Sequence, residues 1–216
     1  MKGGWVERPK EGGVRKKAYI WSVKIEKHPF EPFLPQGAKV LFLGSFPPQE
    51  HRWCMPFYYP NWINDFWRIM GLIFFADKNH FCIPSQKRFD EAAIRKFCTQ
   101  QGLAFYDTAT EVRRLKDNAS DAFLEVVTPT DVPALLQQIP ECRTVVTTGQ
   151  KATEVLAEMF HSPVPPVGGC IHIEIPDQVG DDVWFYRMPS TSRAYPLPLE
   201  KKAEAYKQLF KNDVLR

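Results

Sequence analysis

The stretch KVLFLGSFPP, residues 39–48, joins a compact apolar run to a glycine and a proline-containing loop. Four consecutive apolar residues that end in glycine are typical of a buried strand that leads into a functional loop. The segments LAFYD (residues 103–107) and TVVTTG (residues 144–149) have the same character. The sequence therefore predicts three short buried strands, two of which end in a glycine.

Amphipathic segments separate these apolar runs. Apolar residues recur at helical spacing in residues 65–75, 89–102, 128–140, 150–160 and 198–210, with Thr130 as the expected N-cap of the third helix. Residues 170–175 and 183–189 predict two more strands with a turn at 176–182 between them, and residues 168–182 are a candidate insertion. Alternating strands and helices favour a mostly parallel sheet covered on both faces. We predict an α/β fold: a single three-layer α/β/α domain with a central, mostly parallel sheet of four to five strands.

The composition fits one domain with an N-terminal extension. The chain has 216 residues, of which 44% are apolar and 13% aromatic, enough to bury a sizeable core. Residues 1–17 are rich in glycine and charge, and we assign residues 1–27 to an extension and residues 28–216 to the domain. The formal net charge of +3 neither requires nor excludes a nucleic-acid partner.

Several classes of protein are disfavoured. The five cysteines are scattered, with no Cys-x-x-Cys pair, and no histidines are paired at helical spacing. We therefore expect no metal, no cofactor and no disulfide framework, and free thiols in a reducing cytoplasm. The basic N-terminus lacks the apolar run of a secretory signal, and no apolar stretch is long enough to span a bilayer, so no membrane partner is expected.

Three loops are candidates for a binding site, because ligands of parallel sheets bind at the C-terminal ends of the strands. They are GSFP (residues 44–47) with the aromatic stretch YYPNWINDFW (residues 58–67), the YDT of residues 106–108, and MPSTSR (residues 188–193). Aromatic rings can stack on a base, a carboxamide can bind a base edge or a water, and hydroxyls with arginine can bind phosphate. Together these residue types indicate a nucleotide pocket.

Each of these residues also has a purely structural interpretation. Asn64 could cap a helix that begins at Asp65, and Asp107 could bind a backbone amide at the end of its strand. Phe66 and Trp67 are expected in the core. We expect one of the two tyrosines at positions 58 and 59 to pack inward, and the lysines at positions 201 and 202 to lie on a solvated helix face. The histidines receive no functional role, and His28 is assigned a structural one at most.

Three segments resemble the uracil-DNA glycosylase superfamily, in particular its mismatch-specific and hypoxanthine-DNA glycosylase-like branches. LGSFPP (residues 43–48) is similar to the family's Gly-x-x-Pro loop, and YYPNWINDFW to its aromatic, proline and Asn-x-Phe-Trp block. MPSTSRAYPLPLEKKAEAYKQL (residues 188–209) resembles the second motif, in which a Pro-x-x-Ser loop leads into a helix. The likeness covers roughly residues 28–210, since residues 102–122 and 144–156 also fit the pattern.

The resemblance implies a role for each matched residue. Asn64 matches the asparagine that takes the catalytic part in the hypoxanthine branch, and Asp107 could instead stabilise the sugar cation as a carboxylate. Ser45 departs from the mismatch-specific branch, where the first loop supplies a catalytic asparagine at this position. The implied base-binding residues are Gly44, Ser45, Phe46, Pro47, Tyr58 and Tyr59. The implied DNA-binding residues are Ser190, Thr191, Ser192, Arg193 and Tyr195. Arg193, Ala194 and Tyr195 match the family's wedge, which enters the duplex where the base leaves.

Three functions remain open at this stage. The first is a monofunctional, monomeric DNA glycosylase of base-excision repair, which hydrolyses the N-glycosidic bond of a deaminated base, uracil or hypoxanthine, flipped out of damaged DNA. The second is a catalytically weak or inactive module of the same fold that binds nucleic acid or a modified nucleotide. The third is a small-molecule hydrolase with Ser45 as nucleophile, which is disfavoured because the sequence lacks the Gly-x-Ser-x-Gly turn and a clearly placed histidine.

Overall fold

A computed structural model of the chain describes residues 24–116, 121–175 and 183–210. The strands in these ranges are β1 (Ile25–Lys27), β2 (Val40–Gly44), β3 (Cys82–Ile83), β4 (Arg88–Phe89), β5 (Leu103–Asp107), β6 (Ala109–Arg114), β7 (Leu124–Pro129), β8 (Thr144–Thr148), β9 (Cys170–Ile173) and β10 (Val183–Met188). The helices are α1 (Phe66–Phe75), α2 (Glu91–Gln101), α3 (Val132–Gln138), α4 (Gln150–Met159) and α5 (Leu199–Leu209).

A central five-stranded sheet has the order β5–β2–β8–β10–β9. Strand β2 pairs in parallel with β5 and β8, and β8 pairs in parallel with β10. The three apolar runs that predicted buried strands lie side by side at its centre and one edge. Strand β9 pairs antiparallel with β10, so residues 170–173 of the candidate insertion form an edge strand of the central sheet. The predicted α/β fold with a mostly parallel sheet is confirmed.

The order of the strands explains why helices cover both faces. The connection from β2 to β5 runs in one direction along the sheet, whereas those from β5 to β8 and from β8 to β10 run in the other. Because such crossovers are right-handed, opposite directions place their helices on opposite faces. Helices α1 and α2 belong to the first connection, α3 and α4 to the others, and α5 packs against α1.

A smaller antiparallel sheet, β1–β6–β7, was not predicted. Strand β1 pairs with β6 although its residues were assigned to the N-terminal extension, and a register shift interrupts the pairing of β6 with β7. Strand β6 follows β5 after a single residue, so this sheet continues from the edge of the central one. Residues 1–23 of the extension, and the turn predicted between β9 and β10 at 176–182, lie outside the described residues.

The helix termini contain one correction. Helix α3 is capped by Asp131, whose carboxylate accepts the N–H of Ala134, and not by Thr130 as predicted. The Thr130 hydroxyl is buried and donates instead to the carbonyl of Asp107 at 2.6 Å. Phe66 and Trp67 are buried in the core, as expected. No helix in the three described ranges is both long and apolar enough to cross a membrane.

Candidate active site

The three loops singled out by the sequence meet around one cavity of about 570 Å³. This volume lies within the range of roughly 300–1,000 Å³ that is usual for small-molecule sites. The predicted residues that line it are Gly44, Ser45, Phe46, Pro47, Tyr58, Tyr59, Asn64, Asp107, Ser190, Thr191, Ser192 and Arg193. Tyr195 lines a neighbouring cavity instead. Arg52 and Arg114, which were not predicted, also reach the first cavity and add positive charge to its wall.

Asn64 combines both interpretations of its role. Its side-chain oxygen accepts the N–H of Phe66 at 2.9 Å, at the start of α1, and the residue is half-buried in the cavity wall. The carboxamide oxygen has a second lone pair, and the NH₂ group makes no hydrogen bond to any other described residue. The bond to Phe66 therefore fixes the carboxamide while leaving it able to bind a ligand or a water.

The two tyrosines differ in how they face the cavity. Tyr58 is buried, its ring stacks on Phe105 and its hydroxyl donates to the carbonyl of Glu31 at 2.8 Å. Tyr59 is half-buried and stacks on Phe66 at a centroid distance of 3.9 Å, while its hydroxyl bonds to Thr148. Burial raises the pKa of both phenols, so both stay neutral at physiological pH. Tyr58 is the ring that packs inward, and Tyr59 is the better placed of the two for a ligand.

The first loop is held by polar contacts from neighbouring segments. The Ser45 hydroxyl donates to the carboxylate of Asp121 at 2.8 Å, and Arg114 donates to the carbonyl of Pro47 at 3.0 Å. Throughout the described residues no hydrogen bond joins Ser45 to a histidine. The hydrogen-bond partner of the Ser45 hydroxyl is therefore a carboxylate and not the histidine of a Ser–His pair.

A buried ion pair joins the loop at 190–193 to the start of α1. Lys202 donates to Asp65 at 2.9 Å and to the carbonyl of Ser192 at 2.8 Å, and only 1% of its side chain is exposed. The N–H of Asp65 donates to the carbonyl of Thr191, and Arg193 lies 3.6 Å from the Asp65 carboxylate. The prediction that Lys202 lies on a solvated face is wrong, because its side chain is buried and paired with Asp65. This ion pair brings Asn64 and the hydroxyl loop to the same cavity.

Sequence reasoning missed a contact of Asp107. Its carboxylate accepts a hydrogen bond from Nε2 of His28 at 2.9 Å, and these side chains are 10% and 2% exposed. No backbone amide in the described ranges binds this carboxylate. The two residues are 79 positions apart, and His28 stands in a proline-punctuated segment without periodicity, so no local pattern could have paired them.

The comparisons with known proteins bear on the fold alone. A protein from Methanosarcina acetivorans, provisionally assigned as a uracil-DNA glycosylase, has a solution NMR structure that matches this one with a TM-score of 0.55. The two sequences are 19% identical over an alignment covering 88% of this chain and 100% of the other. This chain has a uracil-DNA glycosylase-like fold. No protein-family model and no curated protein matches the sequence.

The side chains that line the cavity determine which chemistry it could support. Among the described residues there is no cluster of three His, Cys, Asp or Glu side chains that could hold a metal ion. The functional groups that reach the cavity are two carboxamides, two carboxylates, hydroxyls and arginines. Groups of this kind can orient water, stabilise a cation and bind phosphate without a metal.

Proposed function

We propose that the protein is a monofunctional DNA glycosylase that hydrolyses the N-glycosidic bond of a deaminated base, uracil or hypoxanthine, after the nucleotide has been flipped out of DNA. The main support is the convergence of Asn64, Asp107 and the hydroxyl loop at 190–192 on one cavity. The fold it shares with a provisionally assigned uracil-DNA glycosylase agrees with this proposal.

The aromatic wall offsets the cost of extruding the base. Unstacking and unpairing cost a few kcal/mol, least for a mismatched or deaminated base. Stacking on an aromatic ring returns about 1–3 kcal/mol per base. Tyr59 is the candidate ring, because Phe66 supports its other face and Thr148 holds its hydroxyl. Lesions are therefore favoured over normal pairs before any contact with the base edge.

Hydrolysis requires a water on the anomeric carbon and stabilisation of charge. The C1′–N bond breaks, its electrons pass to the base, and the base takes a proton from solvent. The Asn64 carboxamide orients the water that forms the new C1′–O bond. The carboxylate of Asp107 stabilises the positive sugar and accepts the proton that the water loses. Donors fixed in advance in a site that excludes solvent typically contribute about 10²–10³-fold in rate each.

The residues at the mouth of the cavity bind the DNA backbone in this proposal. The hydroxyls of Ser190 and Ser192 and the exposed guanidinium of Arg193 contact the phosphates that flank the flipped nucleotide, whereas Thr191 between them is buried and shapes the loop. Such contacts make DNA binding sensitive to salt.

The test compares wild type with Asn64→Ala on duplexes that contain uracil or hypoxanthine, with alkaline cleavage of abasic sites as the readout. We expect the single-turnover rate to fall about 10²–10³-fold while DNA affinity changes little. Asn61→Ala is the matched control, because Asn61 also lines the cavity and its oxygen accepts an N–H two residues further on. Release of neither base by an excess of wild-type enzyme contradicts the proposal.

One observation favours a second function, that of a module that binds nucleic acid without cutting it. Ser45 stands where one branch of the resembled family has a catalytic asparagine, and its hydroxyl is occupied by Asp121. Tight, salt-sensitive binding of lesion-containing DNA with no base release would support this alternative.

A further inference from the structure

We infer that His28 is a positioning residue that holds the carboxylate of Asp107 in its working orientation. The inference rests on the proposed function for the reaction that Asp107 serves, and on the geometry alone for the contact itself.

His28 acts from behind the cavity. Asp107 lines the cavity, whereas His28 does not, and the His28 side chain is 2% exposed. A carboxylate oxygen can only accept, so Nε2 carries the hydrogen of the 2.9 Å bond to Oδ2 of Asp107. Within the described residues this is the one hydrogen bond to the Asp107 side chain. His28 therefore influences a bound substrate only through Asp107.

The second oxygen of the carboxylate lies against Gly44. Gly44 and Asp107 are directly paired in the parallel strands β2 and β5. A Cβ placed on Gly44 would lie 2.5 Å from Oδ1 of Asp107, closer than such atoms approach one another. The carboxylate thus occupies the space that the missing side chain leaves, with Oδ2 fixed by His28 and Oδ1 at the entrance to the first loop.

The imidazole itself is fixed by its own contacts. Nδ1 lies 2.8 Å from the carbonyl oxygen of Phe30 and 3.2 Å from its backbone nitrogen. A protonated ring donates to the carbonyl through Nδ1, and a neutral ring accepts the N–H there, so Nε2–H faces Asp107 in both states. The rings of Tyr106 and Phe46 pack against it at centroid distances of 4.5 and 5.3 Å.

The first experiment is a double-mutant cycle on single-turnover base release. We expect His28→Leu to lower the rate about 10- to 100-fold, as a misplaced catalytic group does, with DNA affinity little changed. His28→Gln, which keeps a donor at the ε position, should recover most of the loss. In an Asp107→Ala background, His28→Leu should have little further effect. His172→Leu, an exposed histidine on the edge strand β9, is the control and should retain the full rate.

Two kinetic results overturn the inference. One is a full rate in His28→Leu. The other is an equal loss from His28→Leu in the wild-type and Asp107→Ala backgrounds, which would mean that His28 acts on something other than this carboxylate.

A second experiment does not depend on activity. Long-range ¹H–¹⁵N spectra of the histidine rings, with His28 assigned from His28→Gln, should show that the His28 Nε2 signals shift in Asp107→Ala. Unchanged signals refute the positioning role whether or not the enzyme is active. This readout does not require that His28→Leu folds. Shifted signals in a protein that releases no base from any lesion would preserve this inference and remove the proposed function.

Discussion

Breaking the buried pair of Lys202 and Asp65 should destabilise the protein far more than any exposed charge does. The side chains are 1% and 8% exposed and 2.9 Å apart. Removing one partner of such a pair typically costs about 3–5 kcal/mol, because the other charge stays buried without compensation. Methionine in place of Lys202 nearly conserves the volume, so little of this cost comes from a cavity.

The lower end of that range applies here. Arg193 stays 3.6 Å from the other oxygen of Asp65 and compensates part of the charge, although its own side chain is 54% exposed. Loss of the bond from Lys202 to the carbonyl of Ser192 adds about 1 kcal/mol. We expect Lys202→Met to lower the free energy of unfolding in urea by about 3–4 kcal/mol and the melting temperature by about 6–16 °C.

The neighbouring Lys201 is a matched control. It pairs with Glu204 at 2.9 Å, but both side chains are about two-thirds exposed, at 66% and 67%. Lys201→Met should change the free energy of unfolding by less than about 1 kcal/mol. The double variant Asp65→Asn, Lys202→Met removes both charges and should recover part of the loss. A Lys202→Met variant that unfolds like Lys201→Met, or a double variant no more stable than the single one, would refute this argument.

Three further perturbations test separate parts of the structure. Gly44→Ala should push the Asp107 carboxylate aside and cost about 1–3 kcal/mol in urea unfolding, with base release slowed about 10- to 100-fold in single-turnover assays. Asp90→Ala removes the N-cap hydrogen bond of α2 and should lower the free energy of unfolding in urea by about 0.5–2 kcal/mol. Asp131→Ala, which removes the N-cap of α3, should have an effect of the same size. Burial raises the pKa of Cys142 from 9.0 to about 11. Above pH 9 the unfolded Cys142 thiol loses its proton before the folded one does, so this thiol should lower the free energy of unfolding by up to about 1.4 kcal/mol per pH unit as pH rises. The fall in stability measured in urea should therefore be less steep in Cys142→Ala than in wild type.

The central sheet was predictable because its information is local. Each of β2, β5 and β8 is a buried five-residue strand rich in apolar and β-branched residues, as is typical of strands covered on both faces. Strands β1 and β6 are different, since they are half-exposed, carry charges, and in β1 extend over only three residues. Their pairing depends on the edge of the central sheet, which no window of sequence contains.

The site was predictable to the extent that the sheet was. Once strands β2, β5 and β10 run parallel in a common sheet, their C-terminal loops must share one edge. What the sequence could not show is which polar side chains are paired behind that edge. Lys202 and Asp65 are 137 positions apart, so the helical pattern alone places Lys202 in solvent beside Lys201. Thr130 likewise follows a capping pattern, but its hydroxyl is taken by the carbonyl of Asp107.

Two long-range pairs together explain why a pocket formed by loops can have a defined geometry. Loops have few of the regular backbone hydrogen bonds found in helices and sheets. Their side chains are therefore fixed only where a partner on a helix or strand binds them. On one side of the cavity, His28 holds the carboxylate of Asp107, which is already anchored in β5. On the other side, Lys202 of α5 holds Asp65, the residue next to Asn64, together with the carbonyl of Ser192. Both catalytic candidates therefore depend on residues near opposite ends of the chain, and we expect a variant distant from the cavity in sequence to slow base release without touching the DNA.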